Sequence, residues 1–416
     1  MIKTRTLNNG TTIIMEKTDY VQSAALGIWV RSGAAYETDD ISGMSHYIEH
    51  MMFKGTTGMS AKEIAEAVDR IGGSSNAFTG KEATCYYIKT LTSNIYKGAE
   101  ILLDMVTESV FDTDEMDKER NVILEEIKMV KDCPDDEIYD TISELVNSGN
   151  PLRMNILGNP ESLSNIDRSQ MMEYFRKRYA RDGIVIAITG DFDEEKLCSI
   201  FEKGLESLNS TSDRPEFTAG PYRSSFDVKV KDIEQTHICL ATPGISMVDD
   251  KYFSFVLMNN IFGGSMSSRL FQNIREEKGL AYSVSSMNVF NSGSGFFNIY
   301  AGVAHEKAEE AIKAVRYELN SLAHDGVSED ELAMAKEQVK SSYIFGLENI
   351  NSRMFSLGKN LLLLDRIYTP EEILSGFDSV TREDITQSAQ VISDFANYCG
   401  ATVTGKDLEL DKLVRG

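Results

Sequence analysis

The chain has 416 residues, 42% hydrophobic and 26% charged, the balance of a soluble globular protein with room for two or more cored domains. Its formal net charge of −23 excludes general nucleic-acid binding, which needs basic surface, and suits basic peptides as partners. Five scattered cysteines without CxxC spacing exclude a disulfide framework and a thiolate metal site; with no apolar run of signal or membrane-spanning length, no membrane partner is expected and the expected location is the cytoplasm.

Residues 11–16 and 23–32 read as strands, after a turn at Asn8-Asn9-Gly10. The next stretch, SGMSHYIEHMMFKGTT (residues 42–57), reads as a helix. Asp39, Asp40 and Ser42 are expected to cap its start, and Gly55 lies near its end. His46 and His50 fall four apart on one helix face, and Glu49 falls on that face too. Two imidazoles so spaced can hold one zinc ion, and a carboxylate beside them can take a proton from its bound water. The order is H-x-x-E-H, the reverse of the commoner H-E-x-x-H.

Residues 60–71 form a second expected helix, with Ser60 and Glu63 as a capping box and Gly72 as its stop. Residues 75–91 read as a hairpin around Gly80-Lys81, with Cys85 a small core residue. Residues 96–111 are helical. A two-histidine site usually takes a carboxylate as third protein ligand. The candidate lies in residues 112–132, a helix with Val122, Ile123, Ile127 and Val130 as a partial apolar stripe, halted before Pro134. Glu119 and Glu126 lie two turns apart on its apolar side, where a carboxylate is costly without a cation. Glu125 points about 100° away, to solvent.

Three motifs in this order, HYIEHMMFKGT, SSNAFTGKEATCYY and ERNVILEEI, resemble those of the inverted-motif zinc peptidases: pitrilysin, insulin-degrading enzyme and the mitochondrial processing peptidase. The resemblance covers nearly the whole chain. It implies one zinc ion per chain, held by His46, His50 and Glu126, with Glu49 as general base and Glu119 behind Glu126, holding or tuning that ligand. It also implies a zinc endopeptidase acting on extended peptides, which pair by β-augmentation with Asn76, Ala77, Phe78 and Thr79.

Beyond more helix at residues 137–148 and 165–179, residues 183–190 (GIVIAITG) read as a buried strand. Periodicity then fails through residues 204–225, where Pro215 and Gly220-Pro221 mark a linker. After it the chain begins again. Residues 227–230 and 237–242 are strands, and YFSFVLMNNIFGG (residues 252–264) can be laid on SHYIEHMMFKG with Phe262 against Phe53. In that register Phe255, Met258 and Asn259 replace His46, Glu49 and His50, so the second copy has core residues where the first has a metal site. The expected fold is therefore α+β: two related domains, each a mainly antiparallel sheet with packed helices. The first spans residues 1–205, the linker 206–225 and the second 226–416.

In residues 267–284 a helix ends at Gly279 and a strand follows, with Arg275 and Tyr282 straddling the junction. By the family resemblance these two bind substrate and support the tetrahedral intermediate; a guanidinium can anchor a carbonyl and a phenol can donate to an oxyanion. Residues 304–322 and 328–364 are long helices, the latter broken near Gly346 or Asn351, with Met354, Leu357, Leu361 and Leu364 as a core stripe. A helix over residues 382–392 and a strand over 398–404 close the chain. Since the chain carries both the zinc motif and the Arg/Tyr pair, a homodimer with shared active sites is expected. The alternatives are a non-catalytic scaffold member of the family and one subunit of a heterodimeric processing peptidase.

Overall fold

A computed structural model describes residues 2–213 and 221–415. Among the described residues, eleven strands form two sheets. The first is built from β1 (Ile2–Thr6), β2 (Thr12–Lys17), β3 (Ser23–Val30), β4 (Ser74–Thr79), β5 (Thr84–Leu91) and β6 (Ile184–Gly190), in the order β1-β2-β6-β3-β5-β4. The second is built from β7 (Phe226–Val230), β8 (Gln235–Pro243), β9 (Ala281–Phe290), β10 (Gly295–Ala304) and β11 (Cys399–Thr404), in the order β7-β11-β8-β10-β9. Without β1, the two orders are the same path. Each has one parallel pair, β2 with β6 and β7 with β11, and is otherwise antiparallel. This is the expected duplicated α+β fold.

The helices of the first half are α1 (Met44–Met51), α2 (Ala61–Arg70), α3 (Ile95–Glu108), α4 (Thr113–Asp132), α5 (Pro134–Val146), α6 (Pro160–Asn165), α7 (Arg168–Arg178) and α8 (Glu194–Gly204). Those of the second are α9 (Tyr252–Phe262), α10 (Ala308–Asp325), α11 (Glu329–Leu347), α12 (Ile350–Leu364), α13 (Pro370–Ser379), α14 (Arg382–Ile392) and α15 (Leu410–Arg415), with a π-helical segment at Leu270–Glu277. None among the described residues is long and apolar enough to cross a membrane. Strands β1 and β10 and helices α6, α8, α13 and α15 were not anticipated.

The chain forms two compact units, and they are not two continuous stretches. Unit 1 comprises Met1–Lys128, Met154–Phe217 and Phe345–Ile367; unit 2 comprises Met129–Arg153, Thr218–Ile344 and Tyr368–Gly416. Residues 129–153 and 345–367 thus depart from the expected division at residues 206–225. Of that linker, residues 214–220 lie outside the described residues.

The departure has a packing cause. Strand β3 is buried along seven of its eight residues and β6 along all seven, so both faces of the first sheet's centre need cover. Leu26, Ile28 and Val30 join the core with α1, α3 and α7. Ala25 and Trp29 face the other way, against Met354, Leu357 and Leu362 of α12. A Cβ on Gly358 would come within 2.1 Å of the Trp29 indole nitrogen, so glycine there permits the close approach. Arg353 of α12 and Glu16 of β2 add a two-pronged ion pair, both side chains largely buried. In unit 2, α5 does for the second sheet what α12 does for the first: Ile138, Ile142 and Val146 cover Cys239, Ala241, Cys399 and Val403. Each half of the sequence contributes one helix to the other half's sheet.

Candidate metal centre and active site

Helix α1 is only eight residues long, and its two faces divide the work. Met44, Tyr47, Ile48 and Met51 are buried at helical spacing, which leaves His46, Glu49 and His50 half-buried on the opposite side. The start of the helix is not capped by Asp39, Asp40 or Ser42. The N-cap is Gly43, at φ +90°, and the carboxylate of Glu37 takes the exposed N–H groups: Gly43 N–H donates to it at 2.6 Å and Ser45 N–H at 2.7 Å. A side chain at Gly43 would be strained and would meet the Leu157 carbonyl oxygen at 2.8 Å. Burial pushes the Glu37 carboxyl up to about 8, against the pull of the bonds from Ser45 and Gly43. Sequence reading missed Glu37, because a cap reaching from six residues upstream has no local signature.

Helix α4 supplies the carboxylates. Met116, Glu119, Ile123 and Ile127 are buried, whereas Val122, expected in the stripe, is 44% exposed. Tyr47 donates through its hydroxyl to the Met116 carbonyl and so joins α1 to α4. Arg120 holds the other side of α4, donating to the Leu163 and Ile166 carbonyls at 3.0 Å each.

Between the two helices His46, His50 and Glu126 converge, with one ligand atom from each within 4.8 Å of the others. The Glu126 Oε2 lies 3.8 Å from His46 Nε2 and 3.7 Å from His50 Nε2. These gaps are too long for hydrogen bonds. Two tetrahedral ligands on one zinc, at bonds of about 2.0–2.2 Å, stand about 3.3 Å apart, so an ion fits after a movement of a few tenths of an ångström. The chemistry of the donors fits as well. Burial, then the neighbouring His50, push His46 down to about 3, which keeps it the neutral imidazole a metal requires. His50 Nδ1 lies 3.1 Å from Glu119 Oε2, so Glu119 backs His50 where it was expected behind Glu126; a proton on Nδ1 there leaves Nε2 free to ligate. His46 Nδ1 is buried without a hydrogen-bond partner among the described residues. Glu125 is 68% exposed and pairs with Lys128 at 2.7 Å, on the solvent side.

Glu49 shares the face but stands outside the ligand set. Its carboxylate accepts the Thr79 hydroxyl at 2.5 Å. Burial raises its pKa, and the Thr79 bond pulls it back. Thr79 ends β4, the edge strand of the first sheet. There Ser75, Ala77 and Thr79 alternate with the more exposed Ser74, Asn76 and Phe78. Phe78 rests edge-on against Trp29 and Phe355, at 5.5 Å between centroids in each case.

Arg275 and Tyr282 belong to unit 2, the metal cluster to unit 1. Arg275 lies in the last turn of the π-helical segment, its guanidinium 4.6 Å from the Phe271 ring centre and 5.9 Å from that of Tyr282. Tyr282 is the second residue of β9 and is 75% exposed.

Comparison with known proteins agrees with this chemistry. The family described as insulinase, peptidase family M16, matches residues 12–160, and that described as the peptidase M16 inactive domain matches residues 165–339. A Bacillus subtilis protein named an uncharacterized zinc protease is 38% identical over 390 residues, covering 94% of this chain and 95% of its own. One from Rickettsia felis, named likewise, is 36% identical over 400 residues, 96% of each. Among solved structures, the peptidase M16 inactive domain from Pseudomonas fluorescens superposes with a TM-score of 0.91 at 18% identity, covering 98% of both chains. A protease from Helicobacter pylori gives 0.89 at 20%, covering 97% of this chain and 99% of that one. A chain of Complex III2 from Candida albicans gives 0.87 at 19%, covering 100% and 99%. At such identities the structural likeness speaks for the fold.

Proposed function

The chain belongs to peptidase family M16, and from that premise we propose that it is a zinc metalloendopeptidase acting on extended or unfolded peptides. The observation that carries the reading is the placement of Glu49. It stands beside the His46, His50 and Glu126 cluster, is not part of it, and is tied by Thr79 to the strand edge where a substrate would lie.

Zinc held by His46, His50 and Glu126 would polarise the scissile carbonyl and acidify the attacking water. Glu49 takes that water's proton and passes it to the leaving nitrogen. Burial raises the basicity of Glu49 above that of an ordinary carboxylate, and the Thr79 hydroxyl limits the rise. Glu119 holds His50 in the tautomer that ligates. The peptide adds to β4 as a strand, along Asn76, Ala77, Phe78 and Thr79. Arg275 anchors a substrate carbonyl and Tyr282 donates to the developing oxyanion. The pair serves the partner chain's zinc in a homodimer with shared sites, enclosing the substrate in a chamber.

A second reading, a non-catalytic scaffold, draws on the likeness to a Complex III2 chain and on the inactive-domain description. Against it, the inactive-domain match falls on residues 165–339, which contain none of the zinc residues. The experiment is direct. Wild-type protein is assayed for zinc by elemental analysis and for cleavage of an unstructured peptide library by mass spectrometry, beside Glu49→Gln. Stoichiometric zinc in both, with turnover in the wild type alone, is expected. Zinc with no turnover in the wild type supports the scaffold; loss of zinc in Glu49→Gln shows that Glu49 is a ligand and not the base.

A further inference from the structure

Glu119 is a carboxylate with almost no water around it, its side chain 8% exposed. One oxygen faces His50 Nδ1 at 3.1 Å, and the other takes the Lys54 ammonium at 2.6 Å. Lys54 sits just past the C-terminal end of α1, where its backbone N–H donates to the Met51 carbonyl at 3.0 Å. It thus leaves the helix that carries His46 and His50 and reaches the helix that carries Glu126. We propose that Lys54 is a positioning residue for the metal centre: it pins Glu119, and through Glu119 aims the His50 ring and fixes the spacing of α1 from α4.

The physical case rests on what Glu119 would do alone. The terminal torsion of a glutamate is broad, so one contact to an imidazole does not fix the carboxylate plane. A buried carboxylate with a single neutral partner is also poorly compensated. The ammonium supplies the second contact and the opposite charge. Beside the Tyr47 bond to Met116 and the His50 contact with Glu119, it is a further tie between the two ligand-bearing helices, and it bears on the carboxylate that faces His50. A lysine serving only as surface charge would be largely exposed; Lys54 has 29% of its side chain in water and no other carboxylate partner among the described residues.

The inference rests on His46, His50 and Glu126 being a zinc site, so the test includes the wild type as its own control. Zinc dissociation constants are measured on the full-length chain by competition with a chromogenic chelator. The variants are Lys54→Met, Lys54→Arg, Glu119→Gln and the double variant Lys54→Met with Glu119→Gln. Lys54→Met is expected to weaken zinc by about 10- to 100-fold, as loss of a ligand's supporting contact does. Lys54→Arg should return to within a few-fold of wild type. The double variant should bind much as Glu119→Gln does, because Lys54 acts through Glu119. Circular dichroism establishes that each variant is folded, and Lys54→Gln replaces Lys54→Met if the latter is not. Wild-type affinity in Lys54→Met, or losses that add in full in the double variant, would overturn the assignment. A wild type without stoichiometric zinc would overturn the metal site itself, and this inference with it.

Discussion

Thr79→Val removes one hydroxyl and tests how the general base is tuned. Valine keeps the shape and the β-branch, and the backbone pairing of residue 79 with Thr84 is untouched. What goes is the bond from Thr79 to the Glu49 carboxylate, with a long 3.4 Å contact from the Thr84 hydroxyl, which keeps its 2.8 Å bond to the Ser32 carbonyl. A hydrogen bond to a charged group contributes about 1.5–3 kcal/mol, a factor of about 10 to 150 in an equilibrium. The bond favours the ionised form, whereas burial opposes it. Without it the Glu49 pKa rises further, and the base is protonated over a wider range of pH. The acid limb of kcat/KM against pH should move to higher pH. On the acid side of the wild-type limb, activity should fall by about 10- to 150-fold, with little change on the plateau above it. Zinc content should hold, since neither residue is in the ligand set. An unmoved acid limb in a folded, zinc-loaded Thr79→Val chain would refute the tuning role of the bond.

Two further outcomes follow from the same geometry. Glu126→Gln should weaken zinc by more than the ~10- to 100-fold typical of supporting contacts, while Glu125→Gln, on the solvent side beside Lys128, should leave it unchanged; equal affinities in chelator competition would sink the helix-face assignment. Glu37 gives the folded chain a pH dependence: its carboxyl is pushed up to about 8, above its unfolded value of about 4.3. The native state therefore binds the extra proton, and this stabilisation is whole below the unfolded value and lost as pH rises through about 8. Glu37→Gln carries no such proton, so wild-type stability minus that of the variant, from urea melts, should decline across that window; a flat difference would contradict it.

The candidate ligands were legible because helical periodicity is local. Four-residue spacing puts His46 and His50 together, and a seven-residue interval puts Glu119 and Glu126 on one side of α4. The same rule separated Glu126 from Glu125, and the structure keeps them apart. What could not be read depends on contacts distant in sequence. The stripe Met354, Leu357 and Leu361 signals burial, but nothing in it names the sheet it covers, which belongs to the other half of the chain. Glu37 looks like any loop acid until the backbone brings it to the start of α1. Lys54 shows no role until α4 delivers Glu119 to it. Strand β10, GFFNIYAGVA, is buried on both sides and so lacks the alternation that marks a half-exposed strand.

The shared site of the proposed homodimer has a test independent of any picture of it. Glu49→Gln chains lack the base, and Arg275→Ala chains lack the substrate anchor; each is expected to be inactive alone. In a two-fold dimer the same contact occurs twice, once in each direction. If Arg275 and Tyr282 serve the partner's zinc, a mixed dimer places both lesions in one site and leaves the other site whole. Random exchange of equal amounts makes half the dimers mixed, each with one good site of two, so about a quarter of wild-type activity should return. If the pair serves its own chain's zinc, each site of the mixed dimer carries one lesion and nothing returns. Exchange is established first, by mixing two fluorescently labelled pools and following energy transfer. Activity that stays at the level of the separate variants while transfer is complete would refute the shared site. The proposed metal ligands and base would stand, because neither lesion touches the arrangement of His46, His50 and Glu126 within one chain.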